Sequence, residues 1–235
     1  MMKRFYDEVG TREVAGGWQV TLDGRGLKTV KGTPQVVRAE ALAAELAKEW
    51  SAQGEELDPK SFPLRDAVDY AIDVITPDPA SIVDTITKYG DTDTLLYRAD
   101  PDEHLYARQI EVWEPVVTAF ETREGIKLTR VSGIIHRDQD EAAQAALRAR
   151  LMRLDPLALA GVEVMTNLAA SLIVGLSAYE TDDPAEALAL WRAACLEEEW
   201  QADLWGRDYE AEERRAKRQA DFLSAHQLTL LARAN

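Results

Sequence analysis

The sequence predicts an α+β fold: a small β-rich N-terminal domain with one helix, residues 1–62, followed by a larger, mostly α-helical domain, residues 63–235. Three observations carry this. Period-two alternation of apolar and polar residues is concentrated in the first 37 positions. Helical spacing dominates after Pro63, and Pro59 and Pro63 bracket a connector between the two patterns.

In the first part, Trp18, Val20 and Leu22 alternate with Gln19 and Thr21, Asp23-Gly24 forms a turn, and Leu27 and Thr29 resume the alternation. Gly16-Gly17 and Gly32-Thr33-Pro34 punctuate the ends. A helix from Ala39 to Gln53 aligns Leu42, Leu46 and Trp50 on one face and stops before Gly54.

The second part reads as successive helices. Leu64 to Ile75 is stopped by Pro77 and Pro79; Ser81 to Tyr89 is capped by Ser81 and ended by Gly90. A helix opened by Pro101 must pass Pro115 with a kink. Ile126 to Ile135 has strand character and is the one late β element expected. Glu141 to Leu154 is helical, and Val164 to Tyr179 is a largely apolar helix expected at the centre of this domain. Asp183-Pro184 caps the next helix. A final one, Tyr209 to Ala234, pairs Glu210 with Arg214 and Glu213 with Lys217, each pair worth about 0.2–0.5 kcal/mol.

The formal charge of −15 is uneven: residues 1–60 hold 9 Lys and Arg against 10 Asp and Glu, the remainder 18 against 32. Such a field disfavours nucleic acid and anionic membranes; it favours a basic partner or simply keeps the protein soluble. One cysteine, Cys195, excludes an internal disulfide and a cysteine-built zinc site. The N-terminal residues lack the apolar stretch of a secretion signal and the Arg- and Ser-rich, acid-poor pattern of mitochondrial import. The run Leu168 to Ala178 is too short to span a bilayer. These features point to a cytoplasmic protein, or a matrix protein whose leader has been removed; a monomer is expected when free, although nothing in the sequence fixes oligomeric state.

Motifs for catalysis are weak. His136-Arg137-Asp138 lacks the asparagine and glycine-rich loop of a kinase. Gly24 to Thr29 lacks phosphate-loop spacing and reads as a hairpin turn. Asp91-Thr92-Asp93 follows a helix-ending Gly90 and reads as a capping turn; His104, His136 and His226 lack metal spacing. Arg214, Arg215, Lys217 and Arg218 read as a solvated face. No cofactor, metal or catalytic residue is expected. A hydrolase built on Asp91, Asp93 and Glu111 is the enzyme alternative; a helical adaptor for another partner is the non-enzyme one.

The densest signal is Leu188 to Asp208, read as one helix with three tryptophans, three consecutive glutamates and a terminating Gly206. At 100° per residue, Leu188, Trp191, Cys195, Ala202 and Trp205 share one arc, and Leu190, Ala193, Leu196, Trp200 and Leu204 a second. Trp is costly to expose and Glu costly to bury. The segment is therefore either a core helix with its acids at the rim or a patch offered to a partner.

Leu196-Glu197-Glu198-Glu199-Trp200-Gln201 with Trp205-Gly206 resembles the signature of the assembly chaperones for the catalytic head of F-type ATP synthase, the ATP12-like family. Other pieces agree in order: Phe62-Pro63-Leu64, Ala71-Ile72-Asp73, Thr92 to Ala99, Trp113-Glu114-Pro115 and Gly133-Ile134. The resemblance implies an ATP-independent, non-enzymatic chaperone that binds the head's alpha subunit and shields its interface until the beta subunit replaces it. The residues expected to contact that subunit are Glu197, Glu198, Glu199, Trp200, Trp205 and Asp208, with Glu198, an acid set among apolar residues, the sharpest choice.

Overall fold

A computed structural model describes residues 2–133 and 137–233. The β-rich start and mostly helical remainder are as the sequence predicts. Contacts divide the chain into two compact units. One holds the chain up to Pro79, Asp155–Gly161 and the residues from Gln227 onward; the other holds Ala80–Leu154 and Val162–His226.

In the first unit, β1 (Val9–Val14), β2 (Gly17–Leu22) and β3 (Arg25–Gly26) form an antiparallel sheet in that order, β1 and β2 in register from Val9↔Leu22 to Val14↔Gly17. Gly17 is required by a close approach: a Cβ there would stand 2.2 Å from the Val37 carbonyl oxygen. The alternation along β2 does not translate into an inside and an outside. Gln19 and Thr21 are as buried as Val20 and Leu22. Gln19 is satisfied there because its amide donates to the Leu27 carbonyl and accepts from Arg12.

Helix α1 (Glu40–Ser51) packs Leu42, Leu46 and Trp50 into the core of this unit, where the Tyr6 hydroxyl donates to the Trp50 carbonyl at 2.7 Å. Helix α2 (Pro63–Tyr70) runs on through a wider π turn, Ala71–Ile75, which Thr76 closes by donating to the Ala71 carbonyl. Phe62 and Val68, on either side of the residue 62–63 boundary expected from sequence, share this core.

Helix α3 (Pro79–Thr87), whose residues from Ala80 onward belong to the second unit, starts two residues before the predicted cap Ser81, with proline in its first turn. A short β4 (Tyr97–Arg98) follows. Helix α4 (His104–Glu124) runs 21 residues through Pro115, which is exposed, so the carbonyl that loses its helical donor lies on the solvent side of the helix. Of the predicted strand at 126–135, only β5 (Val131–Ser132) forms, parallel to β4; Ile134 and Ile135 lie outside the described residues. Helix α5 (Glu141–Leu151) is capped by Asp140.

The apolar helix expected over Val164 to Tyr179 is two helices, α6 (Pro156–Ala169) and α7 (Leu172–Glu180). The break is chemical. Ala170 adopts φ 46°, and Ser171 caps α7 through the Val174 amide. Behind Ser171 lies Asp93, fully buried, whose carboxylate accepts from the Ser171 hydroxyl at 2.7 Å, the Ile173 amide at 2.9 Å and the Leu95 amide at 3.0 Å. The capping turn expected at Asp91-Thr92-Asp93 therefore serves a helix some 80 residues away in sequence as well as its own loop.

Helix α8 (Pro184–Ala194) is capped by Asp183 as predicted. Helices α9 (Leu196–Trp205) and α10 (Tyr209–Arg233) complete the chain.

Burial raises the Asp93 carboxyl to about 6, against the hydrogen bonds it accepts from Ile173 and Ser171, from an ordinary 3.8. Between those two values the folded protein holds the proton more tightly than the unfolded chain does, so this group's contribution to stability falls as pH rises through that window and is level above it. Relative to Asp93→Asn, wild type will therefore gain stability between pH 7 and pH 5 in urea unfolding; a pH-independent difference would refute the assignment.

Candidate partner-binding surface

The single helix expected over Leu188 to Asp208 bends at Cys195, whose φ of −83° and ψ of 4° end α8 and open α9. The bend explains the three glutamates. Glu197, Glu198 and Glu199 occupy the first turn of α9, where unpaired backbone amides and the helix dipole favour negative charge. It also divides the two apolar arcs. Trp191 is 1% exposed and stacks at a tilt on Phe222, 5.3 Å between centroids, whereas Leu204 and Trp205 face outward.

The three acids have different surroundings. Glu197 is half-buried and accepts from the Gln109 amide at 2.6 Å; burial raises its carboxyl, partly offset by that bond. The same Gln109 accepts from the Ala99 amide, which ties α9 to α4 and to the segment after β4. Glu198 accepts twice from Arg218, at 2.5 and 2.7 Å, with Arg215 at 3.6 Å. Glu199 sits between Arg207 at 3.0 Å and Arg215 at 3.2 Å. The basic cluster of α10 is therefore divided: Arg214 and Lys217 are exposed as expected, whereas Arg215 is 8% exposed and Arg218 lies over the Trp191 ring.

Trp200 is half-buried and lines a depression of about 400 Å³ with Trp191, Cys195, Leu196, Asp203 and Arg215. Burial, reinforced by Glu198, pushes the Cys195 thiol up to about 12, so it is an inert packing group. Trp205 is 86% exposed. Asp208 is exposed and caps α10, accepting from the Ala211 amide at 3.0 Å.

Three contributors escaped the sequence reading. Leu204 and Tyr209, 65% and 78% exposed, flank Trp205. Arg207 donates to Glu199, Asp203 and Glu212 and so binds the end of α9 to the start of α10. The signal for the first two was Gly206, which ends α9 and so leaves Leu204 and Tyr209 beside a turn.

The residues of the hydrolase alternative are engaged separately. Asp93 is the buried cap described above, Asp91 accepts from Gln144, and Glu111 is an exposed partner of Arg108. No cluster of three or more His, Cys, Asp or Glu arranged to hold a metal exists among the described residues. His104 is exposed, His226 is buried with Nε2 3.0 Å from the Thr181 carbonyl, and His136 lies outside the described residues. No helix among them is long and apolar enough to cross a membrane.

Because Glu198 stands between Arg215 and Arg218, Glu198→Lys will place three cations together. With this partly exposed pair screened by solvent, the expected loss is about 1–2 kcal/mol, read as a lower urea midpoint. An unchanged midpoint would show the pairs to be energetically idle.

A family model described as ATP12 chaperone protein matches residues 3–121. The mitochondrial protein atp12 of Schizosaccharomyces pombe is 28% identical over 221 residues, covering 87% of this chain and 74% of the relative. The crystal structure of Atp12 from Paracoccus denitrificans superposes with a TM-score of 0.91 at 36% identity, covering 99% of both chains. That of the Atu1473 protein from Agrobacterium tumefaciens does so with a TM-score of 0.88 at 38% identity, over 97% of this chain and 85% of the other. With half its length matched by the family model and nearly all of it by a relative of the same fold, this chain belongs to the ATP12 chaperone family, the ATP synthase assembly chaperones that its sequence resembles.

Proposed function

We propose that this protein binds the alpha subunit of the F-type ATP synthase head, without ATP, and shields the surface that the beta subunit later covers. An alpha subunit alone exposes an interface that normally meets beta, and apolar patches of that kind aggregate. A temporary cover needs aromatic anchors and charges that complement the client, and it must yield to the final neighbour.

The observation that carries this reading is the α9–α10 region. Large apolar side chains stand exposed there, and from Trp200 to Glu213 five acids accompany a single base, Arg207. The contact set is Glu197, Glu198, Glu199, Trp200, Trp205 and Asp208. Trp205 and Asp208 are open to a client, Trp200 lines the adjoining depression, and the three glutamates supply the negative field around them.

Co-expression with the cognate alpha subunit tests the proposal. Soluble alpha that co-elutes with this protein on a sizing column, and is released when beta is added, is the expected result. Alpha that aggregates as it does alone, with no complex, would refute it.

A further inference from the structure

We propose that the turn joining α9 and α10 is a rigid apolar knob that inserts into an apolar pocket of the alpha subunit whose rim is basic; this rests on the client reading above. The turn is built to project its side chains. Gly206 adopts φ 98° and ψ 150°, a conformation open essentially to glycine alone, and a Cβ there would meet nothing within 4 Å. Its glycine therefore answers to backbone geometry and not to crowding. On one side stand Leu204 and Trp205, on the other Tyr209, the three most exposed large apolar side chains of α9 and α10.

Such a turn would be mobile if unsupported. Arg207 braces it: one guanidinium reaches Glu199 at 3.0 Å and Asp203 at 2.8 Å on α9 and Glu212 at 3.4 Å on α10. Asp208 adds the cap of α10. A large aromatic held in place loses little conformational entropy on docking, the property of an interface anchor.

The occupant follows from charge. The brace uses the turn's one cation inwardly, which leaves Asp208, Glu210 and Glu213 exposed around the knob. A client groove that accepts Trp205 must meet this rim with Lys or Arg. In the first turn of α9, Glu198 and Glu199 are held by Arg215 and Arg218 and Glu197 by Gln109, so the knob, and not the glutamate triplet, is the part free to enter a pocket.

The test compares wild type with Trp205→Ala, Tyr209→Ala and Gly206→Ala for binding of the cognate alpha subunit, with thermal melting of each variant alone as the fold control. Trp205→Ala is expected to weaken binding about tenfold or more with an unchanged melt. Gly206→Ala is expected to weaken it too, although it removes no contact atom. If wild type binds alpha and all three variants bind equally well, the knob is refuted and the client reading stands. If wild type does not bind alpha, the client reading itself fails. A dimer of this chain alone that Trp205→Ala dissolves would identify a second copy as the occupant and overturn the proposal.

Discussion

The C-terminal part of this protein depends on one buried cation. Arg215 lies on α10 with its side chain almost wholly withdrawn from water, and it approaches Glu198, Glu199 and Glu212. A guanidinium so placed is costly unless carboxylates surround it. The cost is met by the first turn of α9, and that turn exists because the chain bends at Cys195. Trp191 closes the arrangement from below, against Phe222 and under Arg218. The acids that look like a docking signal in one dimension are thus first a device for seating α9 on α10.

This gives charge and apolar surface separate roles. The clamp fixes the position of α9; the turn beyond it carries the exposed tryptophan. The exposed side chains of the turn, Leu204, Trp205 and Tyr209, take no part in that clamp. The remaining acidity of residues 61–235 sets up a long-range negative field around the protein.

A second polar centre organises the helical interior. Asp93 satisfies the start of α7 and the loop before β4 from one fully buried carboxylate. Alongside it, Gly175 lets α7 approach α6 so closely that a Cβ would fall 2.2 Å from the Thr166 hydroxyl. Both features are incompatible with one continuous helix through this region.

The sequence by itself determined the fold class, most element positions and the family, because these follow from periodicity, caps and ordered motifs, which are local or additive along the chain. Asp183-Pro184 and the Asp23-Gly24 turn are of this kind. It did not determine what each polar residue faces. Gln19 and Thr21 alternate as if solvent-facing yet are buried, because a third strand and the segment around Val37 cover the far side of β2. Arg215 and Arg218 read as surface charges because their partners lie about 16 to 20 residues earlier on another helix. Trp205 was placed on an apolar arc shared with Trp191, and only the bend at Cys195 sent the two to opposite fates, one into the core and one into solvent. A helical wheel assumes a straight helix in an unspecified environment; tertiary structure decides both where the axis turns and which neighbour stands opposite each face.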